Sequence, residues 1–161
     1  MLTEEKILQL LEKHHISYTL RRHAPIFTVT EGEALGLPDI KFAVKTLFIT
    51  DDKHANFFLV VLPLDKRLDL KQLRIALASR RLTMAGAEEL QNYLKLAPGA
   101  VTPLGLLNDK NKNVQAIFDL VIKEQTIAIP AVGNTATVWL ACSKLAELLE
   151  ENGQHINFLA I

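Results

Sequence analysis

The stretch Phe42–Pro63, FAVKTLFITDDKHANFFLVVLP, decides the fold. Its first half alternates with a period of two, setting Val44, Thr46, Phe48 and Thr50 on one face of a strand and Ala43, Lys45, Leu47 and Ile49 on the other. Asp51, Asp52, Lys53 and His54 read as a polar turn. Residues Asn56 to Pro63 then run apolar without interruption through Phe57, Phe58, Leu59, Val60, Val61 and Leu62, the pattern of a strand covered on both faces. The two strands form a β-hairpin, and one of them carries a lysine on an otherwise apolar face.

Toward the N-terminus, Thr3 followed by Glu4 and Glu5 marks a helix start, and Ile7, Leu8, Leu10 and Leu11 recur at helical spacing up to about His14. Ser17 to Arg22 reads as a short strand. Pro25 breaks that pattern, and Thr28, three residues before Glu31, offers a capping box for a helix through Leu35 that Gly36 and Pro38 end. Beyond the hairpin, Asp69 with Gln72 caps a helix over 70–77, a strand covers Leu82 to Met84, and Ala87 to Leu94 makes another helix. Pro98, Gly99, Pro103 and Gly105 punctuate a loop. Strands are predicted over Val114 to Asp119, Gln125 to Ile129 and Thr135 to Leu140, and a last helix from Ser143 to Asn152, stopped by Gly153. Helices inserted between strands predict an α/β (α+β) fold, with a mixed, largely antiparallel central sheet and helices packed around it. The length of 161 residues and a hydrophobic share of 49% suit one domain over 1–161 with a continuous, mainly aliphatic core.

Lys plus Arg and Asp plus Glu are equal at 18 each, so no global field draws the chain to nucleic acid or an anionic membrane. Any RNA contact must be local, and three short basic clusters are available: Arg21, Arg22 and His23; Arg80 and Arg81; Lys110 and Lys112. The one cysteine, Cys142, allows no intrachain disulfide and no Cys-rich zinc site, and its apolar setting reads as a buried small hydrophobe. Together with the lack of a basic-then-apolar leader or a run of about 18–20 apolar residues, this predicts a cytoplasmic protein without membrane contact.

Phosphate-loop, dinucleotide-binding, nucleophile-elbow and zincin motifs do not occur. His14, His15, His23, His54 and His155 show no ligand-like spacing to carboxylates or to Cys142, so neither a metal nor a cofactor is expected. What remains is Lys45 and the loop Pro98 to Asn113. The lysine reads either as a snorkelling side chain at a strand edge or as a functional cation, and the loop either as a tight connection or as a binding segment.

Four segments, in order along residues 5 to 150, carry a resemblance: Phe27-Thr28-Val29-Thr30-Glu31, Val44-Lys45-Thr46-Leu47-Phe48-Ile49, the loop Gly99 to Asp109, and Gly133-Asn134-Thr135-Ala136-Thr137. In these the chain resembles the YbaK/ProX-like prolyl-tRNA editing family. The resemblance implies an aminoacyl-tRNA deacylase that hydrolyses mischarged tRNA in trans, with Ala-tRNA(Pro) the first candidate. A Cys- or Ser-specific deacylase and a non-catalytic tRNA- or synthetase-binding module are the alternatives. It further implies tRNA, at its acceptor end, and prolyl-tRNA synthetase as partners. Lys45 and Gly105 are the implied catalytic positions, with the lysine facing the 99–109 loop and backbone N–H groups around Gly105 orienting ester and water. Phe27, Thr28, Val29, Thr46, Thr102, Pro103, Asn108, Gly133, Asn134 and Thr135 are the implied substrate-binding positions. Two departures stand: Thr46 follows the lysine where many alanine-editing relatives have Asn, and Ile129-Pro130 stands where many have His-Pro. Such a pocket answers a physical need, because a synthetic site rejects a smaller amino acid by only about 1–3 kcal/mol per methylene, leaving a second sieve to remove it.

Overall fold

The computed structural model describes residues 2–26 and 43–161. Helix α1 (Glu4–Lys13) starts where Thr3 Oγ1 accepts the Lys6 N–H at 3.2 Å, and its buried residues Ile7 and Leu11 lie one above the other. Strand β1 (Tyr18–Arg22) follows. The predicted helix from Thr28 to Leu35 lies outside the described residues.

The hairpin forms as read. Strands β2 (Val44–Asp51) and β3 (Phe57–Pro63) pair antiparallel from Val44 against Pro63 to Thr50 against Phe57. Asp51 builds the turn: its carboxylate accepts the N–H groups of Lys53 at 3.2 Å and Ala55 at 2.9 Å and the Asn56 amide at 2.8 Å. The Asn56 side chain first, then the Ala55 N–H, hold its carboxyl below the usual carboxylate range against the opposing effect of burial.

The rest of the chain adds α2 (Leu70–Leu77), β4 (Leu82–Met84), α3 (Ala87–Leu94), a 3-10 helix (Pro103–Asn108), β5 (Val114–Asp119), a second 3-10 turn (Leu120–Ile122), β6 (Thr126–Pro130), β7 (Ala136–Ala141), α4 (Cys142–Glu151) and β8 (Ile156–Leu159). Five strands form a mixed sheet in the order β4-β2-β3-β5-β8, parallel at β3/β5 and β5/β8. The other three form an antiparallel sheet in the order β1-β7-β6. Among the described residues one parallel bridge, Ala43 to Ala128, joins the two sheets.

β3 lies at the centre of the larger sheet, which is why its apolar run is unbroken: one side of every pair faces each core. Val44, Phe48, Phe57, Leu59 and Val61 face the main core, shared with α1, α3, α4 and the inner side of the β1-β7-β6 sheet. Ile49, Phe58, Val60, Leu62 and Ile117 face a second cluster closed by Leu73 and Leu82. Aromatic packing is confined mainly to Phe48, Phe57 and Tyr93, with ring centroids of Phe57 and Tyr93 4.2 Å apart. β8 is an element the sequence pattern did not reveal. Gly153, at φ 92°, lets the chain leave α4, and Ile156 to Leu159 then lie parallel to β5.

Candidate functional site

The bridge between the sheets places the lysine. Ala43 lies beside Ala128 in an isolated parallel bridge, which brings the start of β2, where Lys45 stands, against the end of β6, where Pro130 stands. Pro130 in turn pairs with Thr137 of β7. Strand alternation puts these three on one face, because Ala43, Ala128 and Trp139 pack together with Ile26 while the intervening Ile129 and Val138 point into the main core. Lys45, half-buried on β2 of the larger sheet, therefore flanks the row that Pro130 and Thr137 form on the outer face of the smaller sheet.

The turn after β6 borders this row. Ala131 N–H donates to the Ala136 carbonyl at 3.0 Å, and Gly133 sits at φ 68° with nothing within 4 Å of a would-be Cβ. Gly133 and Asn134 are half-buried and Thr135 is exposed. The chain after β1 is stitched to this turn: His23 N–H donates to the Thr135 carbonyl at 2.8 Å and Ile26 N–H to that of Asn134 at 3.2 Å.

His23 is the residue that sequence reasoning missed, having counted it only as one member of a basic cluster. Its Nδ1 lies 2.8 Å from the Ala24 carbonyl oxygen and its Nε2 2.7 Å from Thr137 Oγ1. A carbonyl only accepts, so Nδ1 carries the proton; in the neutral ring Nε2 then accepts from the Thr137 hydroxyl. The two residues are 114 apart in sequence, and no local pattern announces their pairing.

The 99–109 loop meets the row at one point. Thr102, fully buried, donates from Oγ1 to the Pro130 carbonyl at 2.7 Å and caps the 3-10 helix by accepting the Leu104 N–H at 3.4 Å. Pro103 opens that helix and is buried. Leu104 and Leu106 enter the main core, on the side of the sheet away from Lys45, so the lysine does not face the length of the loop as expected.

Gly105 and Asn108 depart further from the expected roles. The Gly105 N–H is taken by the Thr102 carbonyl at 3.0 Å, and a Cβ at that position would lie 2.4 Å from Leu96 Cδ1. Its N–H is therefore not free to orient an ester, and what the site requires there is the smallness of glycine. Asn108 accepts the Leu2 N–H at 2.9 Å and donates to the Leu94 carbonyl at 2.8 Å, clamping the N-terminus to the end of α3. Thr46 lies on the face opposite Lys45, opposite Val61, and its hydroxyl is buried without a hydrogen-bond partner. Phe27, Thr28 and Val29 lie outside the described residues.

The basic clusters differ in how far they are neutralised. Arg22 pairs with Glu4, and Arg80 grips Asp52 with Nε at 2.6 Å and a second nitrogen at 3.3 Å. Lys95 and Lys112 donate only to the main-chain carbonyls of Asn92 and Asp109, and among the described residues no carboxylate pairs with Lys95, Lys110 or Lys112. Lys95 and Lys110 line a polar hollow of about 500 Å³ together with Tyr93, Asn108, Asp109 and Asn113. Cys142 is fully buried, and burial, with the Glu124 charge adding to it, pushes its thiol up to about 12, which removes it as a nucleophile. Among the described residues no helix is long and apolar enough to cross a membrane.

Comparison with known proteins shows the family. A family model described as an aminoacyl-tRNA editing domain matches residues 23–148. The prolyl-tRNA editing protein ProX of Acetoanaerobium sticklandii is 35% identical over 151 residues, covering 93% of this chain and 92% of that protein. The prolyl-tRNA synthetase associated domain-containing protein 1 of Danio rerio is 29% identical, over 94% of this chain and 83% of that protein. A solved structure described as a candidate trans-editing enzyme for prolyl tRNA synthetase shares the fold, with a TM-score of 0.71 over 99% of this chain and 98% of that one at 20% identity. With the family model matching residues 23–148 and a relative 35% identical over 93% of the chain, the chain belongs to the aminoacyl-tRNA editing domain family.

Proposed function

We propose that this protein is an aminoacyl-tRNA deacylase that hydrolyses the ester of mischarged tRNA in trans, with Ala-tRNA(Pro) its first substrate. The observation that carries the proposal is the half-buried Lys45 flanking the row that Pro130 and Thr137 form on the outer face of the smaller sheet. An aminoacyl ester is already reactive, so catalysis reduces to positioning a water and stabilising the oxyanion that forms on its attack. The Lys45 ammonium supplies the positive charge for that oxyanion or for the terminal phosphate. Thr102 fixes the Pro130 end of the row through its 2.7 Å hydrogen bond, and so acts on the site from behind. The open turn at Gly133, Asn134 and Thr135 is the part of the rim that receives the terminal ribose and amino acid, where size decides what enters.

With no net charge on the chain, tRNA is gripped locally. The cluster of Lys95, Lys110 and Lys112, free of carboxylate partners, suits that task better than the arginines already paired to Glu4 and Asp52. Cytoplasmic prolyl-tRNA synthetase, the source of the mischarged tRNA, is the partner this reaction implies. The test is a deacylation panel: tRNA(Pro) charged with Ala, Cys, Ser or Pro, with wild type and Lys45→Ala. Hydrolysis of the Ala ester by wild type, sparing of the Pro ester, and no hydrolysis by a folded Lys45→Ala protein is the expected result. A preference for Cys or Ser moves the specificity; no hydrolysis anywhere makes the chain a binding module.

A further inference from the structure

We infer that Thr137 and His23 form the proton relay of this site, Thr137 touching the attacking water and His23 positioning it and storing its proton. The inference rests on the deacylase reading above and adds to it the base that Lys45 cannot be while it serves as the cation. Three observations converge. Thr137 Oγ1 lies 2.7 Å from His23 Nε2, so its hydroxyl proton points at the imidazole and its lone pairs point elsewhere. The Ala24 carbonyl, 2.8 Å from Nδ1, fixes the tautomer that leaves Nε2 as the acceptor. Thr137 also pairs with Pro130 at the end of β6, the end that the Ala43–Ala128 bridge brings beside the start of β2 and Lys45. A carbonyl held between the two has an ammonium on one side and a base-backed hydroxyl on the other, the nucleophile, base and orienter logic applied to water.

The chain also holds the imidazole in place by its own backbone. His23 N–H is bonded to the Thr135 carbonyl, two residues before the threonine it serves, so ring and hydroxyl are set by adjacent rungs of one ladder. In the step itself, the water oxygen bonds to the ester carbon as its proton passes to Thr137 Oγ1 and the Thr137 proton passes to His23 Nε2. The oxyanion then collapses, the bond from carbon to the ribose oxygen breaks, and that oxygen takes the proton back from His23 through Thr137. The products are the free amino acid and tRNA with its terminal hydroxyl restored, and both side chains return to their starting state.

Deacylation of Ala-tRNA(Pro) by four proteins tests this: wild type, Thr137→Val, Thr137→Ser and His23→Ala, the last with and without added imidazole, each checked for folding by circular dichroism and thermal melting. Removal of a general acid–base group costs about 10²–10⁴-fold. Thr137→Val, which keeps the β-branched shape a strand prefers, is expected to lose kcat on that scale with KM nearly unchanged. Thr137→Ser is expected to retain most of kcat, and imidazole to restore part of the His23→Ala loss. Wild-type turnover by a folded Thr137→Val protein, or a His23→Ala loss that Thr137→Ser shares and imidazole does not relieve, overturns the relay and leaves the deacylase reading intact. A wild-type protein that hydrolyses no ester overturns both.

Discussion

Replacing Thr102 with valine isolates one hydrogen bond with little change of shape. The Thr102 hydroxyl is fully buried and sits 2.7 Å from the Pro130 carbonyl, and the same oxygen accepts the Leu104 N–H at a longer 3.4 Å. Valine fills the same volume but leaves that carbonyl facing a methyl group, and a buried polar group stripped of its partner costs about 1–3 kcal/mol. In a chain of this length that corresponds to a fall of about 2–12 °C in Tm. Serine keeps the hydroxyl and loses one methyl, about 1 kcal/mol of burial. The functional consequence separates the two further. Pro130 pairs with Thr137 in the row that Lys45 flanks, so a shift of that strand end displaces the lysine relative to the threonine, and a misplacement of about 1 Å is enough to cost roughly 100-fold. Thr102→Val is therefore expected to lower both Tm and kcat, and Thr102→Ser to keep kcat near wild type, with thermal melts and single-turnover deacylation as the measurements. A valine variant with wild-type Tm and wild-type kcat refutes the reasoning, since it would show that the loop is not coupled to the row through this bond.

Other consequences follow from the same geometry. Gly105→Ala brings a methyl to 2.4 Å from Leu96 Cδ1 inside the main core, and overpacking of this kind costs about 1–3 kcal/mol, readable as a reduced urea midpoint at unchanged m-value. The Asp51 carboxyl is held below its ordinary value by the Asn56 amide and the Ala55 N–H, so its contribution to stability is present above the unfolded carboxylate range, near about 3.9, and is lost as pH falls through the lower folded value. Asp51→Asn is expected to flatten the acid limb of the stability profile, measured by denaturant melts from pH 6 downward; an unchanged limb rules Asp51 out as a contributor. Cys142, buried with its thiol pushed up to about 12, is expected to resist a thiol reagent at pH 8 until the chain is unfolded, and then to react once. Lys110→Glu combined with Lys112→Glu is expected to raise KM for charged tRNA and to reduce the salt slope by about 0.7–0.9 for each phosphate that is no longer neutralised, whereas Arg80→Ala, which removes a cation already held by Asp52, leaves both nearly unchanged.

The local elements were legible because their signals are local. Thr3 and Asp69 cap the helices that their positions predicted, and the strands on either side of the 51–54 turn pair as the expected hairpin. Boundaries of β6 and β7 moved by one residue, within the latitude of strand ends. The division of the strands into two sheets was not legible, since it depends on Ala43 meeting Ala128 and on β8 joining β5 after a four-residue run too short to read as a strand. Site residues fared according to whether side chain or backbone carried the signal. Lys45 stood out because a cation on an otherwise apolar strand face is unusual, a setting that fits either a snorkelling side chain or a functional cation. Gly105 and Asn108 look the same in sequence whether a glycine or an amide serves a ligand or the fold, and here Leu96, Leu2 and Leu94 claim them. His23 was invisible for the converse reason: its meaning lies in a partner 114 residues away.

The seam between the sheets explains why the proposed site gathers at that end of the molecule. Where β2 runs beside β4, at Ile49 to Asp51, its residues are buried almost completely and a cation there would be lost to the core. At its other end β2 has left β4 behind and meets β6 at the Ala43–Ala128 bridge, where Lys45, on the face of β2 that Ala43 shares, is half-buried. Half-burial of this kind strengthens the attraction between the ammonium and a developing oxyanion relative to water while leaving room for a substrate. The same seam lets three separate chain segments converge: β6 with Pro130, β7 with Thr137, and the extension of β1 that carries His23. Each is held by main-chain hydrogen bonds of a sheet or its continuation, so the relative positions of cation, hydroxyl and imidazole are fixed by backbone register and depend little on loop conformation. A one-residue slip of β7 against β6 would turn Thr137 into the main core and bring Val138 out, abolishing the site without unfolding a strand, which is the sense in which the register of the smaller sheet is itself part of the proposed catalytic machinery.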